Sequence, residues 1–214
     1  MALSKVNFNS LNLTPTASKT VVFNSNNNGI EAGDVGGSLV LISEQTASSS
    51  STISFTSGID STYKEYIFKF IDIHSSAGNN YMGFQANASG GSGFNETVTS
   101  TYFRAYHQED GNSGSLSYDA ARDLAQGTGL IEIISDFNTD NDACGVGTLH
   151  IFDPSNTTFV KHFIARTTIY HYSAAARDMF VAGYINTTSA IDEIQFKLSS
   201  GNIDSGTIKL YGVT

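Results

Sequence analysis

One acidic segment has the residue types and spacing of a metal site. It alternates oxygen-bearing side chains with other residues, at Asp136, Asn138, Asp140 and Asp142. Carboxylate and amide oxygens are the ligands that calcium prefers. An EF-hand loop, however, has glycine at its sixth position and glutamate at its twelfth, and here these positions hold Asn141 and Gly147. The segment therefore predicts either a calcium site formed by these four residues or a polar turn.

A pair of catalytic carboxylates is not evident in the sequence. Glycoside hydrolysis with retention requires two carboxyl groups about 5 Å apart, in a cleft. Asp72 stands alone on its predicted strand, and Asp192 and Glu193 are adjacent, so their side chains point to opposite faces of a strand. Glu132 lies among leucine and isoleucine residues. If it is buried, we expect a cationic partner such as Arg104 or Arg166.

Other catalytic signatures are also missing. The glycine–serine tracts do not match G-x-S-x-G, the strained turn that presents a serine nucleophile. The five histidines fall on different predicted strands, without metal-binding spacing. Cys144 lies in an acidic loop, which should raise the pKa of its thiol and make it a poor nucleophile. We therefore expect no catalytic residues, no enzymatic activity and no cofactor other than calcium.

Aromatic residues suggest a binding surface instead. Tyr102, Tyr106 and Tyr118, together with Asn87 at the start of a glycine-rich loop, are the candidate ligand contacts, because exposed tyrosines suit carbohydrate stacking or a protein interface. The alternative is that these tyrosines pack in the core. The chain has no tryptophan, which weakens a lectin interpretation.

Composition excludes several classes of partner. The 214 residues carry a net charge of −9, which argues against nucleic acid and against docking on anionic lipid. No run of about 18 apolar residues occurs, so we expect no membrane insertion. The first thirteen residues lack a basic and then apolar leader, so we expect no export signal. The single cysteine allows no intrachain disulfide.

Alternation of apolar and polar residues predicts an all-β fold. About ten to twelve short strands separated by polar turns are typical of an antiparallel β-sandwich or jelly roll. The strands include residues 63–74, as a central strand, and residues 159–172, and a final hairpin over 191–213 closes a sheet. The residues expected to share one face are Phe163, Ala165, Thr167 and Ile169 in the strand over 159–172, Ile194 and Phe196 in the first strand of the hairpin, and Ile208 and Leu210 in the second. The only helix predicted is a short one over residues 118–124.

The predicted organisation is an N-terminal arm, residues 1–19, followed by a single β-sandwich domain, residues 20–214. Residues 1–19 lack a core pattern and contain Pro15. They form either a surface arm of the domain or a segment that anchors the chain to a partner.

Four stretches of the sequence carry a resemblance to a known group of proteins. They are M-A-L-S-K at the start, T-I-S-F-T-S-G-I-D-S-T-Y-K-E-Y-I-F-K-F at 52–70, T-Y-F-R-A-Y-H at 101–107 and S-S-G-N-I-D-S-G-T-I-K-L-Y-G-V at 199–213. With these stretches the chain resembles short all-β virion proteins of tailed bacteriophages, marine ones in particular. The resemblance implies a structural place in the particle and no catalytic or metal residues. The chain departs from long tail fibres, because it has no coiled-coil shaft, collagen-like tract or enzymatic module.

These observations favour a non-enzymatic virion structural protein, which is tail-associated, as a fibre or tip, or decorates the capsid. We expect it to be made in the host cytoplasm, to contact other virion proteins through the N-terminal arm, and to form a homo-oligomer, with a trimer favoured. Binding to a host-surface glycan is compatible with this role. The alternatives are a carbohydrate-binding, lectin-like module and, with less support, a glycan-degrading enzyme.

Overall fold

The structure is a computed structural model that describes residues 19–23, 30–34 and 39–214. The chain divides into two compact units, residues 1–38 and 39–214. In the first unit, β1 (Lys19–Phe23) pairs antiparallel with β2 (Ile30–Asp34). The predicted arm lies outside the described residues, except for Lys19.

The second unit consists of twelve strands. They are β3 (Leu39–Thr46), β4 (Ile53–Phe55), β5 (Glu65–Ser75), β6 (Tyr81–Ala88), β7 (Val98–Gln108), β8 (Gly114–Tyr118), β9 (Ile131–Ser135), β10 (Gly145–Phe152), β11 (Lys161–His171), β12 (Ala175–Ile185), β13 (Ile191–Leu198) and β14 (Ile203–Val213).

Two antiparallel sheets contain these twelve strands. The wider sheet has eight strands in the order β3-β14-β5-β10-β11-β12-β7-β8, and the narrower one has four in the order β4-β13-β6-β9. The predicted all-β class is confirmed and the arrangement is consistent with a β-sandwich, although a jelly roll is not confirmed. Among the described residues, no helix is long and apolar enough to cross a membrane.

Alternation of buried and exposed residues is clearest along β11, which contributes to the apolar layer between the sheets. On β11, Phe163, Ala165 and Ile169 are buried, whereas Ile164 and Arg166 are exposed. This is the two-residue period of a strand with one buried face, and it follows the faces predicted from the sequence. The predicted central strand, β5, lies between β14 and β10.

Phe196 lies at the centre of the aromatic part of this core. Its ring packs edge-on against Phe68 and Phe70, with centroids 5.1 and 5.3 Å apart, and against Phe55 at 6.2 Å. Because Phe196 belongs to β13 in the narrow sheet and Phe68 and Phe70 belong to β5 in the wide one, these edge-to-face contacts join the two layers.

The predicted terminal hairpin is wrong in its pairing. The two strands exist, and their buried residues are those predicted, with Ile194 and Phe196 on β13 and Ile208 and Leu210 on β14. However, β13 pairs with β4 and β6, and β14 pairs with β3 and β5. The chain therefore crosses from one sheet to the other between these strands, so that both place their apolar faces in the same core.

The predicted helix over residues 118–124 is also wrong. β8 ends at Tyr118, and turns follow it. The Asp119 amide bonds the Tyr102 carbonyl at 2.9 Å, and the Leu124 amide bonds the Ser100 hydroxyl at 3.0 Å. These amides therefore bond β7 and do not close helical turns of their own.

Replacing Phe196 with alanine should lower the free energy of unfolding by about 3–5 kcal/mol, because it leaves a cavity between the sheets. The matched control is Phe159→Ala, since the Phe159 side chain is 68% exposed and its truncation should change stability by less than about 1 kcal/mol. Equilibrium unfolding in urea measures both. Equal effects of the two substitutions would contradict the central position of Phe196.

Candidate functional site

Charged side chains gather inside the second unit, and we call them the inner charge cluster. Its members are Arg104, Asp119, Arg122, Glu132, Asp136, His171 and Arg177. Three of the four arginines of the chain are among them. Because so few cations are placed inside a protein unless they are paired, this cluster is the first candidate for chemistry.

Both sheets contribute to the cluster. Glu132 belongs to β9 of the narrow sheet, and Asp136 follows the last residue of that strand. Arg104, His171 and Arg177 come from β7, β11 and β12 of the wide sheet. The connection between β8 and β9 adds Asp119 and Arg122, so the cluster ties this connection to both layers.

Arg122 holds three carboxylates at once. Its Nη1 donates to Glu132 Oε1, its Nη2 donates to both oxygens of Asp136 at 2.9 and 3.1 Å, and its Nε donates to Asp119 Oδ2 at 3.1 Å. Burial raises the pKa of Glu132, and the positive charge of Arg122 opposes that rise. The guanidinium therefore acts as the shared counter-ion of the three acids.

Arg177 is the second partner of Asp136. Its Nη1 donates to Asp136 Oδ2 and, at 3.3 Å, to the hydroxyl of Ser135. Burial lowers the pKa of Arg177 to about 10, and its Nε has no hydrogen-bond partner. Asp136 itself has φ of 60°, a left-handed conformation that aspartate tolerates better than most residues.

His171 is held neutral beside these charges. Its side chain is 3% exposed, and its Nδ1 accepts a hydrogen bond of 3.0 Å from the Ser173 amide. Nε2 lies 3.8 Å from Asp136 Oδ2, beyond hydrogen-bond distance. Burial, followed by the positive charges of Arg104 and Arg122, lowers the pKa of His171 to about 4. The His171–Asp136 contact is therefore not an ion pair near neutral pH.

The geometry of the cluster suits stabilisation and not catalysis. Three arginines balance three carboxylates, and guanidinium groups bond Glu132 and Asp136 where a substrate proton or a water would have to approach. General acid–base chemistry requires a carboxyl group within reach of the substrate. Glu132 is only 5% exposed and Asp136 only 8%, so neither meets that requirement. Cys144 is equally unsuited to nucleophilic chemistry, since burial and the nearby Asp72 raise the pKa of its thiol.

Glu132 is buried and has the cationic partner expected in that case, but the two partners named from the sequence are wrong. Its partner is Arg122. Arg104 instead lies 3.5 Å from Asp119, and Arg166 bonds Asp178 at 2.8 Å on the opposite, exposed face of the wide sheet. Arg122 was not predicted as a partner of Glu132, because residues 118–124 were predicted to form a helix.

The four residues predicted to bind calcium have other partners in the structure. Asp136 bonds the arginines, and Asn138 and Asp140 bond each other at 2.8 and 3.1 Å. Asp142 lines a separate surface cleft with Asp72. Within residues 19–23, 30–34 and 39–214, no group of three or more His, Cys, Asp or Glu side chains is placed to hold a metal ion.

The four predicted ligand contacts do not share one exposed surface. Tyr102 is fully buried, with its hydroxyl 2.7 Å from that of Ser135, and Asn87 is a buried residue of β6 and not of a loop. Tyr106 is half-buried and stacks edge-on against His171 at 5.6 Å. Tyr118 is 56% exposed and donates its hydroxyl proton to Asp123. Of the three candidate tyrosines, only Tyr118 presents a large aromatic surface to solvent.

An aromatic ladder on the outer face of the wide sheet was missed in the sequence. Phe103 and Phe180 stack in parallel at 4.7 Å, and the guanidinium of Arg166 lies 4.8 Å from the Phe180 ring on the next strand. Both faces of Phe180 are therefore occupied. Sugar stacking requires a free ring face, which Phe180 does not have, so this ring stabilises cross-strand packing and is not a carbohydrate platform.

Neither the scan against protein-family models nor the search of curated proteins found a match to this chain.

Replacing Arg122 with methionine should lower the free energy of unfolding by about 3–5 kcal/mol, because it leaves the buried Glu132 without its cation and removes one of the two cations that hold Asp136. The matched control is Arg166→Met, which removes an exposed ion pair and should cost about 1 kcal/mol or less. Chemical unfolding at pH 7 compares the two variants. A loss for Arg122→Met no larger than the control's would show that the cluster adds nothing to stability.

His171 predicts a pH dependence of stability between pH 6.5 and 4. Its pKa is about 4 in the folded chain against 6.5 ordinarily, so the unfolded chain binds more protons in this window. The contribution of the neutral, buried His171 to the free energy of unfolding is fully present above pH 6.5. It is lost as the pH falls towards 4, by up to about 3 kcal/mol.

The free energy of unfolding, measured at several pH values between 4 and 6.5, should therefore fall less steeply with decreasing pH for His171→Asn than for the unsubstituted chain. His162→Asn is the control, because His162 is exposed on the same strand, and it should retain the full slope. The same slope in all three proteins would rule out His171 as the titrating group.

Proposed function

We propose that this chain is a non-enzymatic structural protein of a bacteriophage particle, associated with the tail as a fibre or tip or decorating the head. The observation that carries the non-enzymatic part is the inner charge cluster. Its carboxylates Glu132 and Asp136 are neutralised by arginines between the sheets and are too buried for a substrate to reach.

The resemblance to virion proteins supports the structural part. Of the four stretches that carry it, residues 52–70 span β4 and the first half of β5, residues 101–107 lie within β7, and residues 199–213 include all of β14. These are framework strands whose inward residues build the core. The resemblance therefore concerns the sandwich scaffold and not a ligand site. The remaining stretch, residues 1–5, lies outside the described residues.

Attachment through residues 1–19 and assembly into a homo-oligomer, with a trimer favoured, belong to the same proposal. A chain that serves as a building block needs one surface to join its own copies and another to join the particle. In this proposal, the β-sandwich supplies the first and the N-terminal arm the second, with the chain located in the virion.

Mass spectrometry of gradient-purified particles, produced from the genome that encodes the chain, should find the chain among the structural proteins of the particle. Immunogold labelling of intact particles then distinguishes tail from head. Finding the chain only in the soluble fraction of the lysate, and never in particles, would contradict the proposal.

The role of the arm is tested separately, by supplying a tagged chain that lacks residues 1–18. We expect this chain to fold, as judged by circular dichroism, and to be absent from particles, whereas a tagged full chain with Phe159→Ala should be incorporated. Normal incorporation of the shortened chain would refute the anchoring role and leave the structural role in place.

A further inference from the structure

The wide sheet ends in two strands, β3 and β8, that each have a neighbour on one side only among the described residues. β3 pairs with β14 and β8 pairs with β7. An edge strand presents a row of unpaired backbone N–H and C=O groups, which readily pair with another chain. Natural proteins therefore protect edges that are not meant to be joined.

The narrow sheet shows this protection. Its edge strand β4 has only three residues, Ile53–Phe55. Its other edge strand, β9, is buried at all five positions and packs against β11 and β12. Short strands and covered edges are two ways in which proteins prevent edge-to-edge association.

The edges of the wide sheet have neither of these protections, although the pairing of β3 with β14 shifts register between Ser43 and Leu41, and such a bulge protects an edge only locally. β3 has eight residues and exposes three consecutive apolar ones, Leu39, Val40 and Leu41, while β8 exposes Leu116 to 73% and Tyr118 to 56%. Neither strand contains a lysine, an arginine or a proline. Their single charged residue, Glu44 of β3, is paired with Lys209 at 2.9 Å.

We propose that copies of this chain join head to tail, with β8 of one copy pairing with β3 of the next. The inference deepens the homo-oligomeric part of the proposed function by naming its interface. One kind of contact then covers both open edges, which a contact between two β3 strands would not do. Heterologous contacts of this kind close into rings when the rotation between copies permits it.

Strand direction is compatible with this contact. All seven pairings within the wide sheet are antiparallel, so direction alternates across its eight strands and β8 runs opposite to β3. A rotation about an axis along the strands therefore places β8 antiparallel to β3 of the next copy. The alternation of the sheet continues across the boundary without a break.

The side chains of the two edges match as well. Directly opposite residues of an antiparallel pair lie on the same face. Tyr118 is opposite Phe103 and Leu41 is opposite Tyr211, and successive pairings across the sheet place these residues on its outer face. Tyr118 and Leu116 of one copy would therefore lie beside Leu39 and Leu41 of the next, so that apolar surface meets apolar surface.

Charge favours these edges as the contact between copies. Each copy carries a net charge of −9, so copies repel one another, and like charges brought close in an interface are costly. The two edge strands have one charged side chain between them, and it is already neutralised within its own copy. They are therefore suited to bring two acidic chains together.

Analytical ultracentrifugation of the full chain over a range of concentrations should show a cyclic oligomer, with a mass that is a whole multiple of 22.8 kDa. Leu116→Glu and Leu41→Glu should each raise its dissociation constant by about tenfold or more, because each places a buried negative charge at the contact. Ile164→Glu is the matched control, since Ile164 is 52% exposed on the same outer face but belongs to the interior strand β11. It should leave assembly unchanged.

A combined variant tests the head-to-tail geometry. In Leu116→Glu with Leu41→Lys, every contact pairs a glutamate from β8 with a lysine from β3, and we expect assembly to recover. If β3 paired with β3, lysine would face lysine, and assembly would not recover. Continued dissociation of this variant would overturn the proposal.

Three other outcomes would also overturn it. The first is a monomer at the highest soluble concentration, and the second is an oligomer that Leu116→Glu does not weaken. The third is a monomeric chain whose melting temperature falls with Leu41→Glu alone, because this would show that residues of the same chain cover β3. The proposed function fails separately. A chain that is monomeric in solution but present in particles refutes only the interface, and an oligomer absent from particles refutes only the virion role.

Discussion

The unequal width of the two sheets is the constraint on which the structure depends. β9 is the last strand of the narrow sheet and packs against β11 and β12, while β7 and β8 extend the wide sheet beyond it. The apolar layer between the sheets has no strand of the narrow sheet to cover it there. The chain fills this region with the connection that follows β8 and with charged groups. Because buried charges are costly unless paired and hydrogen-bonded, Arg122 and Arg177 must find Glu132 and Asp136 for the sandwich to close at this side.

Polar contacts at β9 also fix how the two sheets are aligned. The Thr167 hydroxyl bonds the Ile133 carbonyl, the Tyr102 hydroxyl bonds Ser135, and Arg177 bonds Asp136. Each contact joins one particular position of the wide sheet to one of the narrow sheet or its end. Apolar packing tolerates some sliding of one layer over the other, whereas a buried hydrogen bond that is lost leaves an unsatisfied group. We infer that the aromatic core supplies most of the stability and the polar contacts select one alignment.

Sequence patterns predicted the faces of the strands far better than their partners. Alternation identified the inward residues of β11, β13 and β14, because burial of one face imposes a two-residue period whatever strand lies alongside. The same period is found in a hairpin and in two strands that cross between facing sheets. At the turn between β13 and β14, the crossing is fixed by contacts that no local pattern reveals. Asn80 donates to the Ser200 carbonyl at 2.6 Å, and the Ser199 amide bonds the Tyr81 carbonyl at 2.8 Å.

The candidate site was predictable in part, for a related reason. The apolar neighbours of Glu132 indicated burial, and burial of a carboxylate requires a cation nearby. Which cation it would be depended on the path of the chain after β8, where the residues that suggested a helix instead bond β7. Asp136 has oxygens that suit calcium as well as guanidinium. Asp136 binds guanidinium groups because Arg177 lies beside it. The pairing of β12 with β7, which sets Arg177 opposite Tyr106, brings Arg177 to this position. The oxygens of Asp136 accept hydrogen bonds from two arginines, Arg122 and Arg177. These bonds, more than the absence of a sequence motif, are why the cluster acts as a structural joint between the sheets.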